Sequence, residues 1–102
     1  MLELRPVCEN CGKALPPHAT DAMICSFECT YCAACAQHVL GNVCPNCGGG
    51  FERRPIRPAM DWKGGNDLGH YPAVTAPKLR PADLTAHAAL VARLGGRKPE
   101  ER

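Results

Sequence analysis

Eight cysteines crowded into residues 8–47, few large apolar side chains among them, and one alanine-rich stretch near the C-terminus predict a small metal-stabilised α+β fold. The expected architecture is a cross-braced two-zinc module over 5–52, with a short hairpin and a short helix. A Pro/Gly-rich basic extended segment (53–81), a C-terminal α-helix (82–94) and a flexible end (95–102) follow it.

The cysteines read Cys8-x2-Cys11-x13-Cys25-x3-Cys29-x2-Cys32-x2-Cys35-x8-Cys44-x2-Cys47. Eight thiolates fill two tetrahedral sites with none left over. A two-residue gap lets a tight backbone knuckle aim two sulfurs at one ion, at about 2.3 Å for zinc. The apolar side chains available to this half are few: Leu15, Met23, Ile24, Phe27, Tyr31, Val39, Leu40, Val43 and Phe51 are most of them. A module this small needs a metal or disulfides to fold, and structural zinc supplies about 10–16 kcal/mol of apparent binding energy. The N-terminal Met-Leu-Glu-Leu-Arg-Pro has no basic stretch leading into an apolar one, so no secretory signal is read there, and nothing reads as a membrane span. The expected compartment is the cytoplasm, whose reducing conditions favour metal over disulfides.

Along the chain, residues 1–7 lead in as a short strand. Residues 8–14 form a first knuckle, with Gly12 placed where a positive φ is needed. A proline-rich loop (15–21) precedes a strand or hairpin over 22–29, with Ile24 and Phe27 in the core. Residues 33–40 make a two-turn helix stopped by Gly41 or Asn42. Cys44-Pro45-Asn46-Cys47 is a further knuckle running into Gly48-Gly49-Gly50. Residues 52–58 are basic and proline-punctuated, hence extended. The irregular stretch 59–81 is expected to dock through Trp62 and Tyr71. In 82–94, Asp83 marks the start and Gly95 the stop, and Leu84, His87, Ala88, Val91 and Leu94 line the apolar stripe.

Charge is divided between the halves. Residues 1–50 carry Arg5 and Lys13 against Glu3, Glu9, Asp21 and Glu28, whereas residues 51–102 carry ten basic and six acidic side chains. Each Zn(Cys)4 site adds −2, so the loaded first half is strongly acidic. That argues against reading the whole chain as a polyanion binder.

Two ligand groupings compete. Sequential pairing joins Cys8, Cys11, Cys25 and Cys29, then Cys32, Cys35, Cys44 and Cys47. Interleaved pairing joins Cys8, Cys11, Cys32 and Cys35 as site 1, then Cys25, Cys29, Cys44 and Cys47 as site 2. The interleaved grouping is preferred, because two overlapping closed loops turn forty weakly hydrophobic residues into one unit. The run Cys25-x3-Cys29-x2-Cys32-x2-Cys35 with a terminal Cys-Pro-x-Cys resembles RING-type domains. Three positions depart from that family. Cys29 replaces its usual histidine, Asn10 its partner-contacting aliphatic residue, and Gly48 its basic residue after the last ligand. The resemblance thus implies the scaffold, and a RING-type ubiquitin-like ligase is the weakest functional reading.

A closer resemblance spans the whole first half. LELRPxCExC at Leu2–Cys11, ICSFEC at Ile24–Cys29, VCPNCGG at Val43–Gly49 and Arg53-Arg54-Pro55 look like a family of short bacterial cysteine-rich proteins described only as a domain of unknown function. The segment HYPAVT at His70–Thr75 is also similar. The resemblance implies a bacterial, cytoplasmic, zinc-binding protein and no activity.

An iron–sulfur cluster is disfavoured by the eight-residue gap before Cys44. A catalytic zinc would need an open position, and no cysteine is missing from either foursome. No catalytic residue is therefore nominated. His18, His38, His70 and His87 are read as solvated or packing residues. The function expected is that of a structural zinc-binding protein-interaction or adaptor module, with an unidentified protein partner or a second copy. The alternative is nucleic-acid binding through Arg53, Arg54 and Arg57, since zinc knuckles hold single strands.

Overall fold

The computed structural model describes residues 1–102. Three short strands form an antiparallel sheet in the order β2-β1-β3: β1 (Ala22–Ile24), β2 (Thr30–Cys32) and β3 (Glu52–Arg53). Ala22 faces Cys32 and Ile24 faces Thr30, while Met23 faces Arg53 on the other side. The hairpin runs from Ala22 to Cys32, beyond the expected 22–29, because residues Cys25–Cys29 form the turn and the second strand follows them. Glu28 adopts φ 68° there, and its N–H donates to the Cys25 carbonyl at 3.0 Å. This left-handed residue closes the longer CxxxC gap.

The expected short helix is present with a wider turn. Residues Cys35–Val39 are π-helical, and the Leu40 N–H donates to the Cys35 carbonyl at 2.8 Å. Gly41 and Asn42 follow with φ 55° and 61°, ending the helix where expected.

The core is small and sulfurous. Of 102 residues 21 are buried, and six of those are cysteines, so side-chain packing alone does not close the module. Tyr31 and Phe51 meet edge-to-face at 5.2 Å, with Leu15, Ala22, Ala36 and Leu40 around them. Phe27, expected in this core, is 71 % exposed, because the left-handed turn carries it outward. Ile24 is half-buried.

The tail wraps the module rather than forming a core of its own. The radius of gyration is 14.6 Å, above the roughly 13 Å of a compact chain of this length. The C-terminal helix α1 (Leu84–Leu94) is capped by the Asp83 side chain, which accepts from the N–H groups of Thr85 and Ala86 at 3.0 and 3.1 Å. Gly95, at φ 59°, ends it. The helix buries only part of the expected stripe: His87 is buried and Leu94 half-buried, joined by Leu90, while Leu84, Ala88 and Val91 face solvent. Its chosen face is anchored by a polar contact, His87 Nε2 donating to the Val43 carbonyl at 2.9 Å, which an apolar pattern does not reveal.

Three further expectations need correction. Trp62 does not dock the segment 59–81, being 77 % exposed, whereas Tyr71 is partly covered at 42 % exposure. Residues 95–102 are not a loose end. Pro99–Glu101 form a 3-10 turn, and Arg102 donates to the carbonyls of Asn42 at 2.9 Å and Gly48 at 3.1 Å. The module also runs past residue 52, since β3 continues to Arg53 and the Arg54 side chain is buried in the core.

Candidate metal centre

Two knuckles of matching geometry carry the outer cysteines. In the first, the Cys8 N–H donates to the Lys13 carbonyl at 2.8 Å, and the Gly12 N–H donates to the Cys8 carbonyl at 2.9 Å. In the second, the Cys44 N–H donates to the Gly49 carbonyl and the Gly48 N–H to the Cys44 carbonyl, both at 2.8 Å. Gly12 and Gly48 adopt φ 78° and 76°, a conformation that side chains resist. Cysteines from the sheet side complete each group: Cys32 ends β2, Cys35 opens the π-helical turn, and Cys25 and Cys29 flank the left-handed turn.

The sulfurs gather in the interleaved manner. Those of Cys8, Cys11, Cys32 and Cys35 all lie within 4.8 Å of one another, as do those of Cys25, Cys29 and Cys44. Cys47 stands on the second knuckle outside that mutual set, exposed, with its sulfur accepting from the Gly49 N–H at 3.3 Å. All eight thiols are free of disulfides. The Cys11 and Cys32 sulfurs are 3.8 Å apart, which is about the edge of a tetrahedron whose centre lies 2.3 Å from each sulfur. Soft thiol donors at that spacing fit a tetrahedral ion.

Hydrogen-bond donors point at these sulfurs. The Asn10 amide donates to Cys35 at 3.4 Å, and the Asn46 amide donates to Cys29 at 3.5 Å. Each asparagine immediately precedes the second cysteine of its knuckle and reaches a sulfur from the sheet side. The Cys11 N–H serves Cys8 at 3.5 Å and the Phe27 N–H serves Cys25 at 3.4 Å. Such partners orient ligands and suit sulfurs that carry negative charge. In the absence of a cation Cys32, Cys35 and Cys44 resist ionisation. Burial foremost, then the neighbouring thiols, pushes Cys35 up to about 12 even though Asn10 opposes the shift, and burial likewise raises Cys44 and Cys32. Cys8 shifts the other way: burial opposes its ionisation, but N–H groups of the knuckle and of Cys32 bring its thiol down. A dication reverses the penalty, because coordinating thiols are deprotonated outright.

Within the first knuckle lies a fully buried carboxylate, Glu9. It accepts from Arg5 Nη1 at 2.9 Å, from the Thr30 N–H at 2.5 Å and from Arg80 Nη2 at 2.6 Å. Burial opposes its charge, but the Thr30 N–H and the two guanidinium groups more than offset that and hold its carboxyl below the usual range. Arg80 also lies 3.8 Å from the Cys29 sulfur.

The basic residues nominated for polyanion contact are spread over different duties. Arg54 is buried, donating to the carbonyls of Arg5, Leu15 and Pro16 at 2.9–3.1 Å. Arg57 donates to the carbonyls of Tyr71 at 2.7 Å and Leu2 at 2.9 Å. Arg53 alone of the three is exposed on β3 without such a bond. His18 and His38 are exposed and join neither sulfur group. His70 pairs with Asp67, near Asp61, in the glycine-rich loop.

Sequence reading missed Glu9, Asn10, Asn46 and Arg80. A signal existed for the asparagines, since Cys-Glu-Asn-Cys and Cys-Pro-Asn-Cys share the same third residue. None existed for Arg80, whose partner lies 71 residues away.

These features define a small cysteine-rich protein with two interleaved sulfur groups able to hold metal ions. Residues 1–57 match the family described as "Protein of unknown function (DUF1272)", and the chain belongs to that family. An uncharacterized protein of the bacterium Rhizobium meliloti (strain 1021) is 57 % identical over 81 residues, covering 79 % of this chain and 89 % of that protein. That alignment is longer than the family region and takes in part of the tail. No solved structure is similar to the chain. No helix is long and apolar enough to cross a membrane.

Proposed function

We propose that this chain is a structural zinc protein of the bacterial cytoplasm, working as a protein-interaction or adaptor module. One Zn2+ would be held by Cys8, Cys11, Cys32 and Cys35, and the other by Cys25, Cys29, Cys44 and Cys47, in a RING-like cross-brace. The interleaved gathering of the sulfurs carries this reading. Cysteine thiolates filling every tetrahedral position leave none open for a substrate, and such sites hold a fold together rather than catalyse. What remains functional is a rigid surface offered to a protein partner or a second copy. A ligase role is disfavoured because Asn10, where RING ligases place an aliphatic contact, turns inward to Cys35. Nucleic-acid binding is weakened by the engagement of Arg54 and Arg57 with backbone carbonyls.

Metal analysis of the purified chain tests the first half of the proposal. Two zinc ions per chain and a colourless solution are expected, whereas iron with visible absorption overturns it. Titration with single-stranded oligonucleotide at several salt concentrations tests the rival. Affinity that falls steeply with salt would establish phosphate contacts and displace the adaptor reading.

A further inference from the structure

Every hydrogen bond from residues 80–102 to the rest of the chain lands within two residues of a cysteine or on a cysteine itself. The Arg80 N–H donates to the Glu9 carbonyl at 2.7 Å, and its guanidinium reaches the Glu9 carboxylate and the Cys29 sulfur. The Ala82 N–H donates to Asn10 Oδ1 at 2.9 Å. His87 holds Val43, beside Cys44, and Arg102 holds Asn42 and Gly48, on either side of the second knuckle. The same Asn10 side chain thus grips the tail with its oxygen and the Cys35 sulfur with its nitrogen.

We propose that the segment from Arg80 through α1 to Arg102 is a clasp that governs how long the two sulfur sites retain their metal. This rests on the zinc reading above. A clasp that closes on both knuckles holds them in the ligating conformation, so opening a knuckle requires breaking the clasp as well. By linkage, whatever favours the closed knuckles favours the docked tail, and the converse holds by the same factor. Charge acts in the same direction, since the Arg80 guanidinium sits beside Cys29, whose site carries net −2 when loaded.

The test uses the full-length, zinc-loaded chain and follows zinc transfer to a colorimetric chelator, with hydrogen exchange at the Ala82 N–H as a second readout. Arg80→Ala and His87→Ala each remove a tail anchor and leave all cysteines and both asparagines in place. Zinc affinity, read by competition with the chelator, is expected to fall by about fivefold or more, the low end of ordinary coupling between sites, with release accelerated and Ala82 exchange raised. Arg93→Ala, on exposed helix surface, is expected to change none of these. Should Arg80→Ala fail to fold, because Glu9 is left with one fewer partner, His87→Ala decides the matter alone. Zinc bound at two per chain but released at the wild-type rate from the variants would overturn the clasp. A wild-type chain that binds no zinc would instead bring down the reading beneath it.

Discussion

The two halves of this chain are held by different chemistry. In residues 1–51 the interior is made largely of sulfur, with Tyr31, Phe51 and a few aliphatic side chains filling the remainder. In residues 54–102 there is almost no interior at all: Trp62, Met60, Leu79 and Leu84 are all more than half exposed. That half is fastened by arginines and a histidine reaching backbone carbonyls and one buried carboxylate. Charged and amide donors laid onto a preformed surface can order a segment that buries little apolar area, provided each buried group finds a partner. On the zinc reading proposed above the first half depends on an ion, and the second depends on the first.

Removing metal should have the largest effect. Chelation is expected to abolish the fold of residues 1–51, since structural zinc contributes about 10–16 kcal/mol in small modules. Because the tail's anchors lie on the knuckles, circular dichroism should show α1 melting in the same transition. Two separated transitions would mean that the tail is stable on its own.

Glu9→Ala strikes the joint between the halves. It leaves Arg5 with Glu3 as its remaining carboxylate partner and frees Arg80; breaking a buried ion pair from one side costs about 3–5 kcal/mol, and the Glu3 contact offsets part of that. Denaturant unfolding of the zinc-loaded protein measures this. Acid gives the same test without mutation. The folded-state pKa of Glu9 is depressed, so its stabilisation is present above the ordinary carboxylate value of about 4.3 and is lost as pH falls through the lower folded value. Wild-type stability should thus fall more steeply over that window than that of Glu9→Gln, both variants sharing the acid sensitivity of the thiol sites.

Asp83→Ala removes the cap of α1 and should cost about 0.5–2 kcal/mol, seen as faster amide exchange at Thr85 and Ala86 with the sheet unaffected. Trp62→Ala is expected to do least, within about 0.5 kcal/mol, as for other surface positions without special contacts. A large destabilisation there would show that the loop 59–71 is anchored by its aromatic residue after all.

The cysteine half was legible because spacing is a local property. Knuckles, the glycine at position 12, the helix after Cys35 and its stop at Gly41 and Asn42 all follow from neighbours in sequence. The helix at 84–94 was legible for the same reason, its cap and stop lying beside it. What failed was orientation and long-range docking. Phe27 was placed inside on hydrophobicity alone, whereas the turn forced by Glu28 sets its direction. The face of α1 is set by the bond from His87 to Val43, which turns Leu84, Ala88 and Val91 of the expected stripe to water and brings Leu90 in beside His87 and Leu94. Arg54 was nominated with Arg53 and Arg57 for nucleic-acid contact, yet it fills the space behind three carbonyls. A guanidinium whose partners lie 38 to 49 positions away leaves no trace in local pattern.

The sulfur groups span 8–35 and 25–44, so residues 25–35 belong to both circuits. A protease nick or an inserted sequence anywhere in that shared span would sever both rings together, whereas one at the glycine-rich stretch 64–69 would spare each. Sequence drift in this lineage should accordingly be tolerated at the second place and punished at the first.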